Sequence, residues 1–144
     1  MAEQTYANHS RLVPGYHFVL FPAALAIFIA AIINLYKSWG VEGRFFAAFL
    51  VTAMALALMA TIFYARGFAL RAQDRVIRVE ENLRHYLMTG KPPDTRLETR
   101  QVIGLRFASD GEFVALAEKA AESGTSKKEI KKSIRNWRGD YYRV

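Results

Sequence analysis

Residues 18–36 read FVLFPAALAIFIAAIINLY, and residues 45–65 read FFAAFLVTAMALALMATIFYA. Neither stretch contains a charged side chain, and each is long enough for a helix to cross the roughly 30 Å hydrocarbon core of a bilayer. Helices of soluble proteins seldom run so far without a polar stripe. A cleaved signal peptide is disfavoured, because the Ala24-Leu25-Ala26 triplet, which resembles a cleavage site, lies inside the apolar run rather than after it. The two stretches predict two transmembrane helices.

The segment between them is short and contains two glycines, KSWGVEGR at residues 37–44. A connection of this length makes consecutive helices antiparallel neighbours, so residues 17–65 are predicted to form a transmembrane helical hairpin. Residues 1–16 are predicted to be an N-terminal interfacial segment. Its polar and aromatic stretch, residues 6–18, is interpreted as a lead-in to the first span, and a docking segment for a partner is the alternative.

Charge is concentrated after the second apolar stretch. Residues 66–144 hold 17 of the 20 Lys and Arg and 11 of the 13 Asp and Glu. Basic residues next to a span tend to stay in the cytoplasm, which predicts a basic cytoplasmic tail and two cytoplasmic termini. The cluster closest to the span could also contact anionic lipid headgroups, although a plain topology signal explains it too. Its members are Arg66, Arg71, Arg75 and Arg78.

The tail reads as a series of helices. The second span is predicted to continue to Gly90, because apolar residues recur at helical spacing at Val76, Val79, Leu83 and Tyr86. Charge pairs on that helix are expected between Asp74 and Arg78 and between Glu80 and Arg84. A short helix is predicted over residues 97–107. Capping boxes predict two more helices, which begin after Ser109 (with Glu112) and after Ser126 (with Glu129). The fold class is therefore all-α, a transmembrane hairpin followed by a small cytoplasmic helical bundle.

The last predicted helix is basic and amphipathic. Ile130, Ile134 and Trp137 recur at i, i+4 and i+7, which predicts one apolar face ending in an aromatic anchor. A basic surface patch lies opposite that face and suits a membrane surface, an acidic protein partner or nucleic acid. A solvated basic face resting on lipid is favoured over nucleic acid. The residues of the tail surface patch are Lys127, Lys128, Lys131, Lys132, Arg135 and Trp137.

Small residues repeat every four positions in both spans. This spacing allows helix backbones to approach closely, so it predicts packing within the hairpin, with self-association or docking on another membrane protein as the alternative. The helix-packing residues are Ala26, Ala30 and Asn34 in the first span and Ala53, Ala57 and Thr61 in the second.

The sequence lacks the residues that several kinds of functional site require. The chain has no cysteine, and its three histidines, His9, His17 and His85, are far apart in sequence. We therefore expect no metal site and no cofactor. No nucleophile motif or phosphate-binding loop is present, which predicts no catalytic residue and a protein that is not an enzyme. The spans contain no deeply placed ionisable residue, which argues against an independent transporter.

Four stretches carry a family resemblance: NHSRLVPGYHF at residues 8–18, QDRVIRVEENLR at 73–84, RQVIGLRFASDGEF at 100–113 and SKKEIKKSIRNWRGDYYRV at 126–144. On these, the chain resembles a family of small bacterial two-transmembrane-helix membrane proteins, a domain-of-unknown-function family. The resemblance implies a two-span topology and a bacterial origin, and it implies no catalytic residue.

Together these patterns predict a non-enzymatic integral protein of the bacterial inner membrane, acting as an accessory or assembly subunit of a larger membrane complex. The expected partners are the lipid bilayer and either a membrane protein or a second copy. The alternative is a membrane-anchored regulatory module whose basic tail binds nucleic acid or anionic lipid, and nucleic acid is the less favoured ligand.

Overall fold

The computed structural model describes residues 4–10 and 12–141, and helices dominate this part of the chain. A π-helical turn, Gly15–Leu20, leads directly into α1, Phe21–Lys37. α2 follows as Phe45–Thr89, and then come α3 at Thr99–Leu105, α4 at Asp110–Ser123 and α5 at Lys127–Ser133. Within the described ranges, β pairing is limited to an isolated antiparallel bridge between Ala108 and Trp137. The all-helical prediction is confirmed for this part.

The described chain divides into two compact units. One is Leu12–Ala69; the other combines residues 4–10 with residues 70–141. Residues 4–10, predicted to be interfacial, therefore belong with the tail. Arg11 lies outside the described residues, as do residues 1–3 and 142–144.

The first helical segment opens with a wider turn. Pro22 has no N–H to donate to the carbonyl of Phe18, so the regular α-helical ladder cannot continue back through this point. The N–H of Phe21 instead donates to the carbonyl of Tyr16, five residues earlier, which is the π-helical pattern. Proline thereby places the π-helical turn just before α1.

Contacts within Leu12–Ala69 join early residues of the first helical segment to late residues of α2. The hydroxyl of Tyr16 lies 3.5 Å from the carbonyl oxygen of Ile62, and the ring of Phe21 meets that of Phe63 edge-on. Nearer the connection, Thr52 Oγ1 donates to the carbonyl of Ala31 at 3.1 Å. The connection turns through two glycines with positive φ, Gly40 at 75° and Gly43 at 76°.

The face of contact differs from the predicted one. In α2 the buried residues recur at alternating steps of three and four, and Thr52 lies between them at the same spacing. The predicted packing stripe lies on other faces. The six residues Ala26, Ala30, Asn34, Ala53, Ala57 and Thr61 are all exposed, so they do not pack α1 against α2. The Thr61 hydroxyl donates to the carbonyl of Ala57 in its own helix. The buried α2 face comprises Ala48, Ala55, Met59 and Ile62.

The second unit has its own apolar core, built by α3, α4 and α5. Phe107 and Ala108 are fully inaccessible, and Leu105 and Ile130 are almost so. α3 and α5 approach closely at Gly104, where an added Cβ would lie 3.2 Å from the carbonyl oxygen of Lys127. A larger residue would push the two helices apart, which explains the glycine inside a helix. Other members of the core are Leu97, Val102, Phe113, Ala117, Ala120, Ala121 and Ile134.

Helix boundaries follow the local signals in most places. α2 ends before Gly90, whose φ of 71° is left-handed, and α4 ends before Gly124, whose φ is 61°. The capping box of Ser126 with Glu129 is confirmed at the start of α5. Ser109 does precede α4, but its predicted box with Glu112 does not form. The Glu112 carboxylate instead accepts the backbone N–H groups of Arg135 and Asn136 at 3.1 and 2.9 Å.

The last predicted helix is shorter than expected. α5 ends at Ser133, and Ile134 is already extended, with ψ at 124°. The predicted burial still holds for Ile130 and Ile134, and Trp137 packs against the same core. Trp137 stays against the core without a helix because backbone hydrogen bonds hold the extended segment that carries it. One of them runs from the Arg138 N–H to the Phe107 carbonyl at 2.8 Å.

Candidate functional site

The basic residues of the tail surface patch differ in their exposure. Lys127, Lys128 and Lys132 are exposed on or beside α5, and Arg135 is exposed after the helix ends. Lys131 is only 7% exposed, and its ammonium nitrogen lies 4.9 Å from the centre of the Phe107 ring. Lys131 is therefore a packing residue with a cation–π contact rather than a member of a surface patch.

Trp137 is an anchor, as predicted, although it lies outside a helix. Its ring centroid is 5.0 Å from that of Phe107, and His9 lies 5.8 Å from both rings. The result is an aromatic cluster that joins the N-terminal segment, the residues after α3 and the residues after α5. Such ring contacts contribute about 0.5–1.5 kcal/mol beyond the area they bury.

Residues 4–10 form what we call the N-terminal strap. The Gln4 side chain donates to the carbonyl of Asp140 at 3.1 Å and accepts the Asp140 N–H at 2.9 Å. Thus the strap is held at one end by Gln4 and at the other by His9. The sequence shows polar and aromatic residues in the strap, but no local pattern predicts that they contact residues more than a hundred positions away.

A basic groove of about 640 Å³ lies between the start of α3 and the start of α5. Its basic side chains outnumber its acidic ones, Asp74 and Glu98. Arg96 is already bound to Asp94, and this hydrogen bond lowers the pKa of Asp94 to about 2. The groove therefore offers a positive surface to an anion, with no enclosed cavity for a small substrate. The basic residues are Arg96, Arg100, Lys127 and Lys128.

The four arginines of the predicted lipid-contact cluster have different environments. Arg66 is partly buried, with its guanidinium 5.4 Å from the centre of the Tyr16 ring. Arg78 donates to the Thr99 hydroxyl at 2.9 Å. Arg71 and Arg75 are exposed. Arg71, Arg75 and Arg78 lie at i, i+4 and i+7, so they line one side of α2, whereas Arg66 is off that line.

The inner face of α2 is polar. Glu81 is 7% exposed, and the Arg84 Nη1 donates to its carboxylate at 2.9 Å. Arg84 also donates to the Ala108 carbonyl at 2.8 Å and to Asp110, and its guanidinium lies 4.3 Å from the centre of the Phe113 ring. These hydrogen bonds from Arg84 lower the pKa of Asp110. The predicted Glu80–Arg84 pair is therefore replaced, and Glu80 stays exposed.

The outer face of the same helix is apolar. Val76, Val79, Leu83 and Tyr86, whose spacing predicted the helix, are 56, 68, 56 and 53% exposed. Ile77, Glu81 and His85 occupy the buried face instead. Arg84 reaches Glu81, Ala108 and Asp110 only in this rotation of α2, and no local sequence pattern identifies these partners.

The described residues contain no cluster of three or more His, Asp or Glu side chains arranged to hold a metal ion. His85 is buried, with Nδ1 3.0 Å from the Lys91 carbonyl oxygen and 3.3 Å from the Thr89 hydroxyl. These contacts orient the imidazole toward the end of α2, where it has a structural role.

Two helices, Gly15–Lys37 and Phe45–Thr89, are long and apolar enough to cross a membrane. Only 11% of the most apolar stretch in the first and 22% in the second is buried in the fold. No curated protein and no solved structure matches the chain. A family model described as a family of unknown function (DUF6526) matches residues 1–144.

Proposed function

Because the chain belongs to the DUF6526 family of unknown function, we propose its role from its own residues: a non-enzymatic integral membrane protein that serves as an accessory or assembly subunit. One observation carries the membrane part of this proposal. Apolar side chains cover the outside of Leu12–Ala69, including Phe18 at 65% and Phe46 at 69% exposure. A soluble domain would bury such residues, whereas a bilayer covers them.

The N-terminal strap supports a two-span topology. Residues 4–10 precede the first apolar helix, and their partners Phe107, Trp137 and Asp140 follow the second. If both helices cross a bilayer, the chain must return to the side on which it started. The positive-inside rule then makes that side the cytoplasm of a bacterial inner membrane, because residues 66–144 carry most of the basic charge.

Labelling of single cysteines tests this topology, since the natural chain has none. Glu42→Cys lies in the exposed connection between α1 and α2, and Lys128→Cys lies on the exposed side of α5. In intact cells a membrane-impermeant maleimide should label Glu42→Cys and leave Lys128→Cys unlabelled. Both should react after permeabilisation, which controls for accessibility. Labelling of Lys128→Cys in intact cells would contradict the assignment.

The exposed basic residues favour anionic lipid headgroups as a ligand of the tail. Each basic side chain near an anionic surface contributes about 1 kcal/mol. Changing Lys127, Lys128 and Lys132 together to Gln should therefore weaken binding of anionic lipid to the full-length chain by up to about 3 kcal/mol. Lipids retained after release from detergent are counted by native mass spectrometry, with phosphatidylglycerol compared with neutral phosphatidylcholine.

Lys119→Gln serves as a single-charge control, because Lys119 is exposed on α4 and does not line the groove. It should keep anionic lipid binding close to the natural level. Equal retention of both lipids would contradict headgroup recognition. Steeply salt-dependent binding of duplex DNA by the natural chain would favour the alternative of a tethered regulatory module.

A further inference from the structure

The strongest unexplained feature is the exposed apolar stripe on the C-terminal half of α2. Its members are spaced at alternating steps of three and four, at Ala72, Val76, Val79, Leu83 and Tyr86. This is the repeat of a coiled coil, with Val76 and Leu83 at a positions and Val79 and Tyr86 at d positions. From it we propose that α2 pairs with α2 of a second copy through these residues, in a parallel coiled coil next to the membrane.

The residues beside the stripe fit a second copy. Arg75 occupies a g position and Glu80 the following e position, and both are exposed. In a parallel pair, a g residue faces the e residue five positions later on the other helix. Arg75 would then meet Glu80 of the second copy, and the two-fold symmetry gives this pair twice. Since Arg84 binds Glu81 and Asp110, it does not take Glu80 as an ion-pair partner.

The direction of pairing follows from the membrane. This step rests on the proposed function, because copies inserted in one bilayer with one topology present their α2 helices in the same direction. An antiparallel pair would bring Arg75 opposite other g positions and would lose the match with Glu80. The absence of cysteine in the natural chain makes cross-linking a direct test.

Single cysteines are placed in the full-length chain in native membranes. On addition of copper phenanthroline as the oxidant, Val79→Cys and Leu83→Cys should each form an intermolecular disulfide and a dimer of twice the 16.3 kDa mass, since d and a residues face their equivalents. Arg78→Cys is the matched control, exposed on α2 but off the stripe, and should remain monomeric. Failure of both stripe cysteines to cross-link, or an adduct with a different protein, would overturn the proposal.

Charge exchange tests the register. In the Val79→Cys background, Arg75→Glu or Glu80→Arg alone should reduce the dimer yield several-fold, and the two together should restore it. A yield unaffected by either single change, or one that the double change does not restore, contradicts the parallel pairing. Alkaline carbonate extraction of the same membranes reports insertion separately. Retention without cross-linking refutes only the pairing, whereas release from the membrane refutes the proposed function.

Discussion

Phe107→Ala is expected to destabilise the unit that contains α3, α4 and α5 by about 3–5 kcal/mol, the usual cost of emptying a buried aromatic site. Phe107 is fully inaccessible, and its ring contacts Trp137, the guanidinium of Arg106 and the ammonium of Lys131. Removal of the ring therefore opens a cavity and also deprives two buried cations of an aromatic partner.

Fluorescence makes this loss measurable in the full-length chain. The protein has two tryptophans, so a Trp39→Phe background leaves Trp137 as the reporter beside Phe107. Urea unfolding in mild detergent should begin at a clearly lower concentration for Phe107→Ala. Phe46→Ala is the control, because Phe46 is 69% exposed and lies in the other unit. An unchanged midpoint for Phe107→Ala would contradict the assigned core.

Arg84→Met is expected to cost about 3–5 kcal/mol, because it leaves a buried charge without its close partner. Glu81 would keep only Arg138, whose Nη1 is 4.0 Å away, and the Ala108 carbonyl would lose a donor. The same urea unfolding experiment measures the effect. Adding Glu81→Gln to Arg84→Met should recover part of the loss, since a neutral amide is cheaper to bury than an unpaired carboxylate.

Asp110→Asn is the matched control on the exposed side of Arg84. The Asp110 side chain is 76% exposed, so its ion pair should contribute at most about 1 kcal/mol. Its pKa is lowered in the fold, so this small contribution is present above the ordinary pKa of aspartate and disappears as the pH falls through the lowered value. A control loss as large as that of Arg84→Met would contradict a network centred on Glu81.

The sequence predicted where helices begin and end better than it predicted which of their faces are buried. The end of α2 at Gly90 and the start of α5 at Ser126 depend on local backbone chemistry, which neighbouring residues determine. The rotation of α2 does not. Hydrophobic spacing places Val79 and Leu83 on one face of α2 without saying what covers that face, and the hydrogen bonds of Arg84 to Glu81, Ala108 and Asp110 turn the opposite face toward α4. A pattern of apolar residues therefore cannot show which face of the helix is buried when an ion-pair network lies on the other face.

The candidate site shows the same limit. Lys131 shares its spacing with exposed lysines, and only the position of Phe107 beneath it explains its burial. Trp137 was correctly expected to be an anchor, yet the helix that should have carried it ends at Ser133. The small-residue stripe suggested close packing, but small side chains are equally compatible with a lipid-facing surface, and Ala24 and Ala31 pack at other positions.

The N-terminal strap also has a consequence for the making of the protein. The hydrogen bonds between Gln4 and Asp140 join residues 136 positions apart, so they cannot form until residue 140 has been synthesised and has left the ribosome. In the proposed two-span topology, the strap waits on the side of the tail while both apolar helices are synthesised and inserted. Closure of this unit would then be a late step of biogenesis, one that a translocated N-terminus would prevent.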